Sequence, residues 1–304
     1  MGKMLAGESY PMTAVLANDL FVAVHSTLEP VAEFMTVFAQ PNTELARGAV
    51  AAEILVTADS AAPRKRFFLH EYYTRIDWVS GTHAQVQTNG AVGSIDWSGS
   101  DREVLRAELR IFPEGAPESL GMFLRLLTSI LLPSRRAVLV HASGVVSHGE
   151  GVIFLGDSGA GKTTTARRLG REGAQRFADD LAIVHVSQQK SVSVEACAFD
   201  RGGRLPGRTN RSWPLRAAYD VRKAAAVTAD AGRVKDPLAT WCGAILSATG
   251  PPGSLHTLLG LASDLREIVP PRALNVSASG AVHSSLVTWR GPSAQLAFRA
   301  SGEG

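Results

Sequence analysis

The 304-residue chain is mildly basic and ordinary in its apolar content. Its 31 Lys and Arg residues against 28 Asp and Glu leave a net charge of +3, which suits a phosphorylated ligand but is too small to indicate nucleic-acid binding. The 45% of hydrophobic residues are enough for a sizeable core in one large domain or two smaller ones. Cys197 and Cys242 form no CxxC pair and have no nearby His cluster, so we expect two reduced, mostly buried thiols and no zinc site.

The N-terminus does not fit a secretory signal, and the longest apolar stretch does not fit a membrane span. Residues 1–16 contain one lysine and no long apolar stretch, which argues against a secretory signal. The apolar run Met122–Leu132 is interrupted by Arg125 and is too short to span a bilayer, so it predicts a buried helix. We therefore expect a cytoplasmic protein with no membrane partner.

Residues 1–115 contain short extended patterns separated by turn residues, which predicts a β-rich N-terminal region packed on the rest of the chain. Asn89-Gly90 is a strong turn signal within a predicted meander, and we expect the Ile-Asp-Trp triplets at 76–78 and 95–97 on neighbouring strands. The other strands predicted in this region are Leu20–Val24, Phe34–Phe38, Ala51–Val56, Phe67–Tyr73 and Leu105–Phe112.

Residues 116–304 are predicted to form a mixed α/β core with C-terminal helices. An apolar helix stopped by Pro133 is followed by a strand over 136–146, a turn over Ser147–Gly151 and a strand over Val152–Leu155. These two strands predict an antiparallel hairpin and hence a mixed sheet. The later predicted elements are helix Thr163–Arg171, a strand after Asp180, a helix within Val227–Gly250, helix Leu255–Val269 and a strand within 270–277.

The octapeptide GDSGAGKT, Gly156–Thr163, satisfies the phosphate-loop pattern GxxxxGK[ST] in full, between a predicted strand and a predicted helix. Its glycines let consecutive backbone N–H groups point at an oxyanion, and the following helix adds its positive N-terminal end. Lys162 is placed to reach the β- and γ-phosphates, and the Thr163 hydroxyl is a ligand for Mg²⁺. The residues predicted to bind the nucleotide are Gly156, Asp157, Ser158, Gly159, Ala160, Gly161, Lys162, Thr163 and Thr164.

Two adjacent acids, Asp179 and Asp180, follow the predicted phosphate-loop helix. One acid at this place is the usual support for Mg²⁺ in P-loop proteins. Neighbouring side chains on an extended segment point in opposite directions, so both carboxylates reach one site only if the backbone turns there. Two interpretations stay open. Either one acid holds the metal while the other accepts a proton from an attacking hydroxyl, or the second acid is solvated or caps a helix.

His141 lies on the strand predicted to form a hairpin with the strand that leads into the loop. Taken alone, a histidine at such a position is more often a satisfied core residue than a functional one. In a hairpin beside the loop strand, however, it would project toward the nucleotide end and assist an acidic residue there.

Together, His141, the loop Gly156–Thr163 and the pair Asp179-Asp180 resemble the catalytic core of the HPr kinase/phosphorylase family and its HPr kinase-related members. That family has a phosphoenolpyruvate carboxykinase-like fold. Its pattern is a His on the strand before the hairpin, a GDSGxGK[ST] loop and a paired-Asp motif. Residues 141–184 carry the likeness, and Trp213–Val221 adds a weaker one.

The resemblance implies an α/β (α+β) fold with a mixed-sheet P-loop core, and a kinase that uses ATP and Mg²⁺ to phosphorylate a serine-type hydroxyl. It implies that Asp179 is the general base and that Asp180 and Thr163 lie on the metal side. It also implies catalytic roles for Lys162 and His141. Related enzymes are often oligomeric, so a homo-oligomer is compatible with the resemblance.

Two departures from the family bear on the acceptor. The chain lacks the glycine-rich downstream signature of true HPr kinases, and its N-terminal half does not resemble theirs, which argues against HPr as the substrate. It is more similar to HPr kinase-related proteins of peptide-modification clusters. A peptide or protein hydroxyl is therefore favoured over a small molecule such as free serine. A regulatory protein that binds ATP without transferring phosphate is the remaining alternative.

The segment Arg201–Lys223 carries six Arg and one Lys against one acid, with Gly and Pro interspersed. One interpretation is a mobile basic flap that closes over the phosphates, with Arg204, Arg208 or Arg211 reaching them. The other interpretation is a solvated basic loop.

Overall fold

The structure is a computed structural model that describes residues 10–17, 20–36, 50–58, 74–88, 90–97, 104–112, 116–200, 211–224, 232, 234–246 and 254–277. The strands in these ranges are β1 (Tyr10–Ala17), β2 (Leu20–Ser26), β3 (Val50–Ala58), β4 (Thr74–Trp78), β5 (His83–Thr88), β6 (Ala91–Asp96), β7 (Leu105–Ile111), β8 (Ala137–His141), β9 (Ser143–Ser147), β10 (Glu150–Leu155), β11 (Gln175–Ala178), β12 (Leu181–Val186), β13 (Val192–Ala196), β14 (Ser212–Lys223) and β15 (Arg272–Val276). The helices are α1 (Glu29–Thr36), α2 (Ala116–Leu131), which continues into a 3-10 turn (Leu132–Arg135), α3 (Lys162–Arg171), α4 (Pro237–Ala244) and α5 (Ser254–Ile268).

The first seven strands form one mixed sheet in the order β1-β2-β3-β7-β6-β5-β4. Strand β3 runs parallel to both β2 and β7, and the other pairs are antiparallel. Buried and exposed residues alternate along β7, as expected for a strand with one face on the core. Helices α1 and α2 contribute to the same apolar cluster as these strands.

The second sheet has eight strands in the order β11-β9-β10-β14-β13-β12-β8, with β15 paired to β14. Strand β10 lies between β9, its antiparallel hairpin partner, and β14, which runs parallel to it. Because β10 and β14 run in the same direction, their carboxyl ends meet at one edge, where Leu155 pairs with Asp220. That edge is where the phosphate loop begins.

The helices of the second half cover both faces of this sheet. Alternate residues of β10 point to opposite faces. Phe154 packs in a cluster with Ala166 and Leu169 of α3, whereas Ile153 packs in a cluster that includes residues of α4 and α5. The coarse expectation of an α/β chain with mixed sheets and a few helices is confirmed.

One apolar cluster joins the two halves of the chain. It contains residues of the first sheet and of α2, and it also contains Leu139 of β8, Leu181 of β12 and Phe199 after β13. The outer face of β8 and β12 is therefore buried against the N-terminal half.

The predicted meander, hairpin, phosphate-loop helix and C-terminal helices are present, but two expectations for residues 1–115 are wrong. The segment predicted as strand Phe34–Phe38 lies partly in helix α1, because Val31 and Met35 are four residues apart and bury the same helix face. The two Ile-Asp-Trp triplets are not on neighbouring strands, since β4 and β6 flank β5 on opposite sides.

The predicted strand over 136–146 is two strands rather than one. Strand β8 ends at His141 and pairs with β12, whereas β9 starts at Ser143 and pairs with β10 and β11. The single residue between them, Ala142, donates its N–H to the Asp180 carbonyl oxygen over 3.0 Å. His141 is therefore not on the hairpin strand, which corrects the expectation from the sequence.

The basic segment 201–223 is not one flap or loop. Its second half is strand β14, in which Trp213 and Leu215 are buried while Arg216 forms an ion pair with Glu150 at 2.6 Å. Residues 201–210, with Arg204 and Arg208, lie outside the described residues, as does the predicted strand Phe67–Tyr73.

The cysteines and the apolar helices can also be compared with what the sequence predicts. Both cysteines are free thiols, but Cys242 is exposed rather than buried. Among the described helices, none has the length and apolar character needed to cross a membrane.

A packing prediction follows from Gly144 of β9, where an added Cβ would overlap the buried ring of Phe177. We expect Gly144→Ala to lower the free energy of unfolding by about 1–3 kcal/mol, as overpacking in a core does. Gly260→Ala is the matched control, because it lies in α5 with nothing within 4 Å of an added Cβ. Chemical denaturation measures both variants, and equal stabilities would contradict the packing of Phe177 on Gly144.

Candidate functional site

The loop Gly156–Gly161 joins the carboxyl end of β10 to the first turn of α3. Gly156 and Gly161 have φ angles of 124° and 111°, a region that favours glycine. A Cβ at Gly156 would lie 2.7 Å from the Val221 carbonyl oxygen, so the loop begins against the backbone of β14. Only a residue without a side chain fits there, which accounts for the first glycine of the motif.

Lys162 bends back over the loop that precedes it. Its ammonium group donates to the carbonyl oxygens of Gly156, at 2.7 Å, and Asp157, at 3.0 Å. The residue is only 6% exposed, and this burial lowers the pKa of Lys162, while the negative charges of Asp180 and Asp157 oppose the shift. The lysine charge is therefore held at the loop and lies within electrostatic reach of Asp180.

Two hydroxyl groups meet at the main-chain carbonyl oxygen of Asp179. Ser143 Oγ donates to it at 2.6 Å and Thr163 Oγ1 at 2.9 Å, and the two hydroxyl oxygens are 3.2 Å apart. A hydroxyl that donates its proton still has lone pairs available. Thr163 can therefore hold this contact and also act as an oxygen ligand for a metal ion.

Asp179 and Asp180 form the short connection between β11 and β12, which we call the acid turn. The carboxylates of these two residues point to different partners. Asp180 Oδ1 is 3.3 Å from His141 Nδ1. Asp179 Oδ1 is 3.3 Å from Arg176 Nη1, and its other carboxylate oxygen is 3.8 Å from Arg167 Nη2. The Asp179 side chain is 11% exposed between these two arginines. The backbone turns, but it sends the two acids to different partners.

His141 reaches the site from the end of β8, where it pairs in register with Leu181, the residue after the acid turn. Burial is the largest influence on the His141 pKa and lowers it, and the charge of Lys162 lowers it further, while Asp180 and Asp200 raise it. The net effect is a pKa below its ordinary value, so the imidazole is mostly neutral at neutral pH.

The structure thus brings three of the predicted residues together, His141, Lys162 and Asp180, and places Thr163 against the acid turn. It directs the Asp179 carboxylate toward Arg167 and Arg176 instead.

The described part of the basic segment 201–223 forms neither a flap over the phosphate loop nor a solvated loop. Arg211 precedes β14 at the end opposite to Asp220, the residue that pairs with Leu155 before the loop, so the structure does not bring Arg211 to the phosphates. At the loop end of β14, Arg222 donates from Nε and Nη2 to Asp220 Oδ2, at 2.9 and 2.7 Å.

Sequence reasoning missed two residues of the site, Ser143 and Asp200. Asp200 is a buried carboxylate that accepts hydrogen bonds from the backbone of the acid turn. Ser143 lies within the stretch 141–184 that carries the family likeness, but that pattern assigns it no role, and Asp200 lies outside every motif. The only feature of the sequence that could have indicated a buried role for Asp200 is its place directly after the apolar residues 196–199.

No protein-family model matches this chain, and no curated protein matches it either.

The loop geometry leads to a nucleotide-binding prediction. We expect Gly156→Ala to weaken ATP binding at least about tenfold, because the new Cβ would both clash with Val221 and strain a left-handed backbone by about 1–3 kcal/mol. Gly149→Ala is the matched control. Its φ of 79° imposes similar strain, but nothing lies within 4 Å of its Cβ and it is outside the loop. Titration calorimetry with ATP measures both. Unchanged binding by Gly156→Ala would argue against a phosphate site here.

Proposed function

We propose that this chain is an ATP- and Mg²⁺-dependent kinase that transfers the γ-phosphoryl group to a serine-type hydroxyl of a peptide or protein. The observation that carries the proposal is the His141–Asp180 pair, 3.3 Å apart, beside the lysine of a phosphate loop. A protein that only binds nucleotide needs the loop and one acid. A neutral histidine in contact with that acid is the additional part that proton transfer requires.

The position of the loop in the sheet supports the finer fold assignment, a P-loop core of the HPr kinase/phosphoenolpyruvate carboxykinase type. Strand β10 is entered through the hairpin with β9, and its other neighbour, β14, is parallel to it. The resemblance implies this mixture of antiparallel and parallel neighbours around the loop strand.

The residues present fit ATP and Mg²⁺. At Gly156 the loop backbone lies so close to β14 that an added Cβ would meet the Val221 carbonyl oxygen. The first N–H groups of α3 have no partner inside the helix and are open to an anion. The loop Gly156–Thr163, with Thr164, would hold the phosphates, and Thr163 and Asp180 would hold the metal. When bound, Mg²⁺-ATP supplies the phosphoryl group and neutralises charge that develops during transfer.

The described residues include no group of three His, Cys, Asp or Glu side chains arranged to hold a metal ion.

The geometry favours His141, rather than Asp179, as the proton acceptor. With Nδ1 directed at Asp180, the lone pair of a neutral imidazole is on Nε2, and the side chain is 34% exposed. The Asp179 carboxylate instead faces two guanidinium groups, that of Arg176 at 3.3 Å and that of Arg167 at 3.8 Å. We therefore assign His141 as general base, with Asp180 orienting it through Oδ1 and offering its other oxygen to the metal.

The acceptor is proposed from the resemblance to HPr kinase-related proteins of peptide-modification clusters. Purified protein with Mg²⁺ and γ-labelled ATP can be offered serine-containing peptides, above all any small precursor peptide encoded next to its gene, and separately free serine. Phosphoserine in the peptide supports the proposal. Label in free serine alone would make the chain a small-molecule kinase, and ATP binding without any transfer would make it a regulatory protein.

The role assignment makes a separate prediction. We expect His141→Gln and Asp180→Asn each to reduce the transfer rate at least about 100-fold with ATP binding largely kept, because each removes part of the proton-accepting pair. Lys162→Ala should weaken both binding and transfer. Asp179→Asn should cost less than about tenfold, since it changes ion pairs with Arg176 and Arg167 rather than the contact with His141.

The control is His185→Gln. His185 on β12 is a half-buried histidine that pairs with Glu195 on β13, outside the site. Rates are measured by single-turnover transfer from labelled ATP. If Asp179→Asn were inactive while His141→Gln kept its rate, the base would be Asp179, as the resemblance implies.

A further inference from the structure

Asp200 is a buried carboxylate, only 3% exposed, that binds the backbone of the acid turn. Its Oδ2 accepts the Asp179 N–H at 2.7 Å, and its Oδ1 accepts the N–H groups of Asp180 and Leu181 at 2.9 and 3.3 Å. Hydrogen bonds to an ionised carboxylate are about twice as strong as neutral ones. Three consecutive amides are thus tied to one side chain.

The carbonyl groups of the same turn are also bonded. The Asp179 carbonyl oxygen accepts from the hydroxyls of Ser143 and Thr163, and the Asp180 carbonyl oxygen accepts from the Ala142 N–H at 3.0 Å. All four backbone polar groups of the acid turn therefore have partners. This fixes the two peptide planes, and with them the directions in which the Asp179 and Asp180 side chains leave the backbone.

Asp200 is itself well anchored. The preceding residues Cys197 and Phe199 are buried in the apolar cluster that joins the two halves of the chain. Arg125 of α2 donates from Nε to the Phe199 carbonyl oxygen at 2.9 Å, and the Asp200 N–H bonds to the Cys197 carbonyl oxygen at 3.3 Å. The carboxylate is thus attached to a segment that is buried and hydrogen-bonded to α2.

We propose that Asp200 is a positioning residue for phosphoryl transfer. Through its three backbone hydrogen bonds it holds the acid turn so that Asp180 faces His141 and Lys162 while Asp179 faces the arginines. The inference rests on the proposed function. It adds to the proposed function a reason why the Asp180 and Asp179 side chains point as they do. This orientation matters because a misplacement of about 1 Å near reacting groups can cost about 100-fold in rate.

The test compares Asp200→Asn with Glu195→Gln in the full chain. Glu195 is an equally buried carboxylate, 3% exposed, that contacts His185 Nε2 at 2.9 Å and lies on the strand just before Asp200. Three measurements are made on each variant: amide hydrogen exchange at residues 179–181, the stoichiometry and affinity of Mg²⁺-ATP binding, and kcat for ATP turnover with water or an identified hydroxyl as acceptor.

For Asp200→Asn we expect exchange at residues 179–181 to accelerate at least about tenfold, because charge-assisted bonds are lost. We also expect kcat to fall about 100-fold while ATP binding is unchanged. Glu195→Gln should leave the three amides and kcat as in the wild type. If Asp200→Asn does not fold, Asp200→Glu serves instead, since its longer side chain keeps the charge but cannot form the same three bonds.

Two outcomes would overturn the positioning role alone. In the first, kcat is retained despite faster exchange, which makes the contact structural only. In the second, exchange at residues 179–181 is unchanged, which would mean that the three hydrogen bonds do not hold the turn. An equal fall in kcat and in the stoichiometry of ATP binding reports loss of folded protein, and Asp200→Glu is then the variant that decides. A wild-type chain that binds Mg²⁺-ATP but never turns it over would overturn the proposed function itself, and the positioning role with it.

Discussion

The main-chain carbonyl oxygen of Asp179 accepts hydrogen bonds from two hydroxyls on different elements, Ser143 of β9 and Thr163 of α3. This one atom links the hairpin strand, the phosphate-loop helix and the acid turn through hydrogen bonds of 2.6 and 2.9 Å. The loop and the acids must therefore move together. A change that displaces β9, such as a larger residue at Gly144, reaches the candidate metal ligands through the same atom.

The parts of the site that the sequence predicted are those encoded by local patterns. At Gly156 the loop has a left-handed backbone and lies close to the Val221 carbonyl oxygen, and only glycine allows both. The glycine in the sequence therefore predicts this part of the loop. The hairpin and α3 follow from turn residues and apolar runs in the same way. The coarse fold class was predictable for this reason.

The remaining parts depend on contacts between distant segments. The division of 136–146 into β8 and β9 is set by the strands they pair with, and two of these, β11 and β12, lie beyond the loop. A continuous strand-like stretch suits either one long strand or two. The divergence of the acid pair depends likewise on Arg167, Arg176 and Asp200, none of which belongs to a recognisable motif. Sequence spacing could show that two acids were adjacent, but not where each one points.

The apolar cluster shared between α2, the first sheet and the outer face of β8 and β12 limits how such a chain can be rearranged by recombination. On the strand that carries His141, Leu139 is on the same face as His141 and packs in that cluster. A phosphate-loop half transferred without its N-terminal partner would carry an uncovered apolar face directly beside His141. Recombination that separated the two halves would therefore expose this face, whereas changes on the outer surface of the β-rich half would leave the shared cluster intact.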